Sequence, residues 1–151
     1  MIAVEKIVFL SDVPMFGQVQ SAELAKIAEI TDEVVVPAGQ CVFREGDFGE
    51  ELFIIVEGRV RISLRGRILA TLKERDYFGE MSLLDGEPRS ATAEAEVDTL
   101  LLRIRQADFH RILARNFDAT LAVLRTLSRR LRAQLEQLNR FTGQHSTHDG
   151  S

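Results

Sequence analysis

The spacing of apolar residues changes twice along the chain. In SAELAKIAEIT, residues 21–31, Leu24, Ile27, Ala28 and Ile30 recur at helical spacing, and Ser21 stands where a capping residue would. A short amphipathic piece, VEKIVFL, precedes this helix, with Pro14 between them. From about Glu33 to Ile104 the pattern becomes short runs rich in Val, Ile, Leu and Phe: EVVVPAGQCVF, ELFIIVEGRVRISL, GRILATL and ATAEAEVDTLLLRI. Gly39, Gly46, Gly49, Gly58 and Gly66 punctuate them, which predicts a compact antiparallel sandwich or barrel. Val60, Ile62 and Leu64 alternate with Arg59, Arg61 and Ser63, as a half-buried strand requires. Leu64-Arg65-Gly66-Arg67 reads as a hairpin turn with Gly66 at positive φ.

Helical spacing returns at Gln106. QADFHRILARN predicts one short helix, and a longer one is expected from about Phe117 to Phe141. In the longer helix Leu121, Leu124, Leu131, Leu135 and Leu138 take a/d-like positions, with Ser128 interrupting. Its first half should pack on the β body. Its second half keeps a narrow leucine seam, so a homodimer through this helix is expected, against the blander alternative of a lid packed within one chain. The organisation read from the sequence is a helical segment over 1–32, a β body over 33–104, C-terminal helices over 105–141, and a disordered polar tail over 142–151.

Composition narrows the function classes. The 151 residues, 45% hydrophobic and 28% charged, suit one globular domain. No apolar run reaches the roughly 18–20 residues of a membrane helix, and the N-terminal sequence does not resemble a signal peptide. Cys41 is the sole cysteine, which excludes an intramolecular disulfide and fits a cytosolic protein. Residues 1–102 carry 10 basic and 19 acidic side chains, whereas residues 103–140 carry nine Arg and three acids. Arginines on a solvated helix face account for that asymmetry, and an acidic body argues against direct nucleic-acid binding. A metal-dependent barrel enzyme would need histidines on its strands, but His110, His145 and His148 all lie outside the β region. No nucleophile constellation or Walker loop is present, so no catalytic residue, metal or cofactor is expected.

One stretch carries chemistry. FGEMSLLDGEPRSATA, residues 78–93, places Glu80 after Gly79 and Arg89 beside Ser90, with mostly small or apolar residues between. Glu80-Met81-Ser82-Leu83 can form a helical turn whose free N–H groups attract an anion. Arg89 can return to the same place and fork onto a phosphate. Glu80 would repel a phosphate but accept from neutral hydroxyls. The pair therefore asks for a ligand that is anionic at one end and hydroxylated nearby, which a cyclic phosphodiester fused to a ribose satisfies. The competing reading is a Glu80–Arg89 ion pair closing a tight loop, and the motif alone does not separate the two.

The stretch resembles the phosphate-binding cassette of the cyclic nucleotide-binding domain family through Phe78-Gly79-Glu80, Leu83 and Pro88-Arg89-Ser90-Ala91. Pro37, Gly39, Phe43, Gly46, Asp47, Gly49, Phe53 and Gly58 are similar to that family's glycine-marked opening, and the likeness runs from about Val8 to Leu138. It implies an eight-stranded antiparallel β-roll with an N-terminal helix, a short cassette helix and two C-terminal helices. It also implies that Arg89, Ser90, Ala91, Met81 and Ser82 cradle the cyclic phosphate, that Gly79 and Glu80 meet the ribose, and that Ile62 and Leu69 line sugar and base. Gln134 and Leu135 would lie near the base contacts. The implied ligand is cyclic AMP in preference to cyclic GMP, because a threonine in place of Ser90 would favour the guanine amino group. The sequence departs from the family in having Arg75 where a glycine is frequent. It also lacks, in these residues, the helix-turn-helix of the family's bacterial transcription activators and the pore or kinase sequences of other members. The implied function is a sensor module signalling through its C-terminal helices; the alternative is a degenerate roll used only for dimerisation.

Overall fold

The structure, a computed structural model, describes the backbone of residues 1–149 and the side chains of residues 1–142. Its helices are α1 (Ala3–Ser11), α2 (Ser21–Ile30), α3 (Glu80–Asp85), α4 (Gln106–Arg115) and α5 (Phe117–Asp149), with a 3-10 turn at Pro14–Phe16. Eight strands lie between them: β1 (Asp32–Val36), β2 (Cys41–Phe43), β3 (Glu51–Glu57), β4 (Val60–Leu64), β5 (Arg67–Leu72), β6 (Tyr77–Phe78), β7 (Thr92–Ala95) and β8 (Thr99–Arg105). They form two four-stranded antiparallel sheets, ordered β1-β8-β3-β6 and β2-β7-β4-β5. The implied eight-stranded roll with flanking helices is the observed architecture.

Two buried clusters explain the apolar runs. One fills the roll between the sheets and contains Val36, Phe53, Ile55, Val60, Phe78, Ala93, Ala95 and Leu101. The other joins the first sheet to the helices and contains Leu52, Ile54, Tyr77, Leu83, Leu102 and Ile104 with Leu10, Phe16, Phe109, Ala119 and Val123. Because successive strand residues point to opposite faces, β3 must be apolar on both: Leu52 and Ile54 meet the helices while Phe53 and Ile55 meet the roll interior. Its uninterrupted LFII run is therefore the pattern of a strand covered on both sides.

Local details confirm some expectations and correct others. The hairpin at Arg65-Gly66 has φ of 51° and 79°, the pair of positive values that a two-residue connection of right-handed twist demands. Ser21 does not cap α2: the N-cap position is Gln20, and no side-chain cap bond forms. Helix α5 runs past Phe141 to Asp149, beyond the end suggested by the leucine pattern. The expected frayed tail falls mainly on residues 143–151, whose side chains lie outside the described residues, as do those of His145 and His148. Among the described residues, the buried part of α5 is its first half: Ala119, Val123 and Thr126 are buried, whereas every residue from 131 to 142 is exposed.

Arg75 adopts φ of 73°, and its N–H bonds to the Ile55 carbonyl. The turn thus keeps a left-handed conformation that costs an L side chain about 1–2 kcal/mol. The compensating ion pair with Asp12, at 3.8 Å between half-exposed side chains, contributes little. Arg75→Gly should stabilise the fold by up to about 1 kcal/mol after the entropic penalty of glycine, read as a raised urea midpoint at unchanged m-value. A lowered midpoint would show that the Asp12 contact outweighs the backbone strain.

Candidate ligand-binding site

β6 sets the site. Phe78 points into the roll and Tyr77 into the helical layer, and Gly79 then turns the chain at φ of 92° into α3. That conformation and its neighbours make glycine necessary, because a Cβ on Gly79 would lie 2.9 Å from Arg89 Nη1 and 3.0 Å from the Glu51 carbonyl. Glu80 opens α3 and is almost fully buried, and α3 ends at Gly86 in a second left-handed residue. The Leu83 carbonyl accepts from His110 Nε2 at 2.7 Å and from Gln106 Nε2, which ties the cassette helix to α4. His110 thus makes a structural contact.

Arg89 is 5% exposed and makes no ion pair among the described residues. Its Nη1 donates to the Gly79 carbonyl at 2.8 Å and its Nη2 to the Glu51 carbonyl at 2.7 Å. The guanidinium also lies over the Phe43 ring, 4.1 Å from its centroid, beside the Phe43–Phe53–Phe78 cluster. Nε is buried without a hydrogen-bond partner. Burial pushes the guanidinium below its ordinary pKa, and the charges of Glu51, Glu80 and Asp47 partly offset this. The backbone of Arg89 is fixed too: its N–H bonds to the Asp47 carbonyl, and its carbonyl accepts from Gly46 N–H.

The ion pair that the motif left open does not form between Glu80 and Arg89. Glu80 Oε1 instead accepts from Arg130 Nη1 of α5 at 2.8 Å, while Arg130 Nη2 donates to the Tyr77 carbonyl. The sequence reading did not identify Arg130. It lies 50 residues from Glu80 on a helix rich in arginine, where the charge pattern carries no sign of a buried partner.

The structure brings Gly79, Glu80, Met81, Ser82, Arg89, Ser90 and Ala91 together around α3. Ser82 and Ala91 are buried, Met81 and Ser90 are exposed, and Ser90 Oγ lies 3.8 Å from Met81 Sδ. Ile62 and Leu69 are half-buried on β4 and β5, with Ile62 against the roll interior. Gln134 and Leu135 are not brought to this site; both fall in the fully exposed part of α5. A groove of about 450 Å³ includes Arg89 in its lining, with Phe43, Asp47, Phe48, Gly49, Glu50 and Glu51 among others. Among the described residues no cluster of His, Cys, Asp and Glu could hold a metal ion, and no helix is long and apolar enough to cross a membrane.

The arrangement is a two-sheet roll closed by helices, with a glycine-led carboxylate and a buried arginine on either side of one short helix. The profile of the cyclic nucleotide-binding domain matches residues 33–116, and the chain belongs to that family. It is 33% identical over 107 residues to a cAMP-dependent protein kinase regulatory subunit of Emericella nidulans, covering 70% of this chain and 26% of that protein. A cyclic nucleotide-gated potassium channel of Rhizobium etli is 39% identical over 97 residues, 64% of this chain and 27% of the channel. The chain thus spans about a quarter of these relatives. Among solved structures, the catabolite activator protein of Thermus thermophilus superimposes with a TM-score of 0.74 at 32% identity, covering 85% of this chain and 63% of that one.

Gly49 gives the arginine its space. A Cβ there would stand 2.2 Å from Arg89 Nε, in the middle of the guanidinium. Gly49→Ala should destabilise the fold by about 1–3 kcal/mol, the usual scale of overpacking, as measured by urea unfolding. The loss should shrink in the Arg89→Ala background, because the colliding group is then gone. Additive losses would mean that Gly49 matters for another reason.

Proposed function

We propose that this chain is a cyclic nucleotide-binding sensor module, without catalytic activity of its own, which binds cyclic AMP in preference to cyclic GMP. The observation that carries the reading is the buried Arg89 guanidinium, which has no carboxylate partner and an unpaired Nε. A buried cation is costly unless paired, and a phosphodiester at the cassette would supply the missing charge. The N–H groups of Met81, Ser82, Ser90 and Ala91 would cradle it, and Gly79 and Glu80 would take the ribose. Ile62 and Leu69 would border sugar and base. The preference for cyclic AMP rests on a serine rather than a threonine at Ser90, and agrees with relatives named as cAMP-dependent regulatory subunits.

The ligand would signal through α5. A ligand shifts a conformational equilibrium only by its differential affinity for the two states, and α5 is the element whose contact with the cassette a ligand would alter. Phe117, Leu124, Leu131 and Leu138 are exposed at seven-residue intervals along it, with Leu135 beside them. This seam would receive the same helix of a second copy. Gln134 and Leu135 would approach the base only if α5 moved from its present position.

One observation favours the rival reading of a roll that binds nothing: Glu80 already has a protein partner in Arg130. The unpaired state of Arg89 weighs against it. Calorimetric titration of nucleotide-free protein separates the two. Cyclic AMP should bind saturably and more tightly than cyclic GMP, and Arg89→Ala should cost about 2–5 kcal/mol of binding, the scale for truncating one partner of a buried charge pair. No heat with either nucleotide, from folded protein, would leave the degenerate roll as the function.

A further inference from the structure

Met81 lies on the cassette helix α3 and is 48% exposed. The chain has three methionines, and the other two are less accessible: Met15 is 1% exposed and Met1 is half-buried. The Met81 thioether also has a polar partner. Ser90 Oγ donates to Sδ at 3.8 Å, across the loop that leads from α3 to β7. Both residues belong to the candidate phosphate cradle, and Ser90 directly follows the buried Arg89. A thioether is a weak acceptor, so this contact leaves the hydroxyl easily released to a stronger one, such as the oxygen of an anion.

Resting on the cyclic nucleotide reading above, we propose that Met81 is a peroxide-sensitive modification site whose sulfoxide closes the cassette to its anionic ligand. The oxidant is a hydroperoxide, ROOH. A sulfur lone pair attacks its terminal oxygen, the O–O bond breaks, an S–O bond forms, and the remaining fragment leaves with the peroxide's proton as ROH. Sulfur is oxidised by two electrons and the peroxide is reduced by two. The side chain is thereby converted from an apolar group into a polar one. Methionine's three rotatable bonds let either sulfoxide epimer turn the new oxygen onto the Ser90 hydroxyl. The hydroxyl is then engaged, and the negative end of the S–O dipole competes with the phosphate for the cradle. Cys41, half-buried on β2 and paired with Glu94 of β7, is the remaining sulfur. A thiol reductant reverses its sulfenic acid or disulfide but leaves a methionine sulfoxide in place.

Hydrogen peroxide is the probe that tests the assignment. Nucleotide-free protein is treated with it, returned to thiol reductant, mapped by peptide mass and titrated with cyclic AMP by calorimetry. Met81 should gain one oxygen before Met1 and Met15 do. Affinity should fall about 10- to 100-fold, the scale of one hydrogen bond to a charged group. It should recover when methionine sulfoxide reductases for both epimers act on the same sample. M81L, whatever its own affinity, should not respond to peroxide. S90A should lose less than wild type does, because the hydroxyl that the sulfoxide captures is gone.

Oxidation of Met1 or Met15 ahead of Met81 would overturn the inference, as would a Met81 sulfoxide that binds cyclic AMP as the thioether does. A loss as large as that of wild type in M81L would assign the effect to another residue; the same loss in S90A would refute capture of the hydroxyl. All of these leave the sensor reading intact. If M81L does not fold, the reductase step decides, and affinity that stays lost after Met81 is restored refutes the site. An untreated wild type that binds neither cyclic AMP nor cyclic GMP overturns the sensor reading and this inference with it.

Discussion

A guanidinium buried without a counter-charge is the constraint on which the rest of the site depends. Removing a cation from water costs several kcal/mol even after relaxation, yet Arg89 is 5% exposed and, among the described residues, pairs with no carboxylate. Two backbone carbonyls, an aromatic face and the more distant charges of Glu51, Glu80 and Asp47 hold it there. Each requirement reaches into a different segment. The carbonyls come from β3 and from the β6–α3 turn, and the ring comes from β2. Gly49 and Gly79 must both lack a side chain, and the loop after β2 must close over the arginine through the paired backbone bonds of Gly46 and Asp47. The glycine pattern over residues 46–49 is therefore as much a part of the site as Arg89 itself.

The opposite charges at positions 80 and 89 do not pair because the fold assigns them to different layers. Alternation along β6 sends Phe78 into the roll and Tyr77 into the helical layer. Arg89 comes to rest over the aromatic cluster that includes Phe78, whereas Glu80 turns towards Tyr77 and α5. The site sits where two hydrophobic clusters meet, and each charged group is held from its own side, Glu80 by Arg130 and Arg89 by backbone carbonyls and a ring. This arrangement answers why an apolar stretch carries two charges: the apolar residues belong to both cores, and the charges face the seam between them.

Much of this was legible in the chain. Punctuated Val/Ile/Leu runs gave the strands, Arg65-Gly66 gave the hairpin, and Gly79-Glu80 with Arg89 gave the cassette, because each rests on local spacing or on the conformational freedom of glycine. Contacts set by tertiary packing were not legible. Arg130 looked like any arginine on a solvated helix, since nothing local records that one of them faces a carboxylate 50 residues away. Phe43 and the Glu51 carbonyl were hidden for a similar reason: a backbone carbonyl has no sequence signature, and Phe43 reads as ordinary core. Ser21 suggested a cap by composition, but the helix begins at the serine itself, so its side chain is one position late for the N-cap role. Gln134 and Leu135 were placed by analogy of register along a helix, and register does not fix how far a helix stays in contact with the body.

That last point determines how information could leave the site. A helix packed along its whole length would resist displacement at many contacts at once, and one ligand hydrogen bond would change its position little. Here α5 is buried at Ala119, Val123 and Thr126 and held at Arg130, after which residues 131–142 are exposed, leucines included. A rigid helix transmits a small rotation at its last anchor as a larger displacement at its tip, at 1.5 Å of length per residue. The exposed seam that a second helix would meet continues with Leu131, immediately after the residue that grips Glu80. The cassette carboxylate and the exposed leucine at 131 are thus one residue of helix apart, joined by an arginine that holds two acceptors at once.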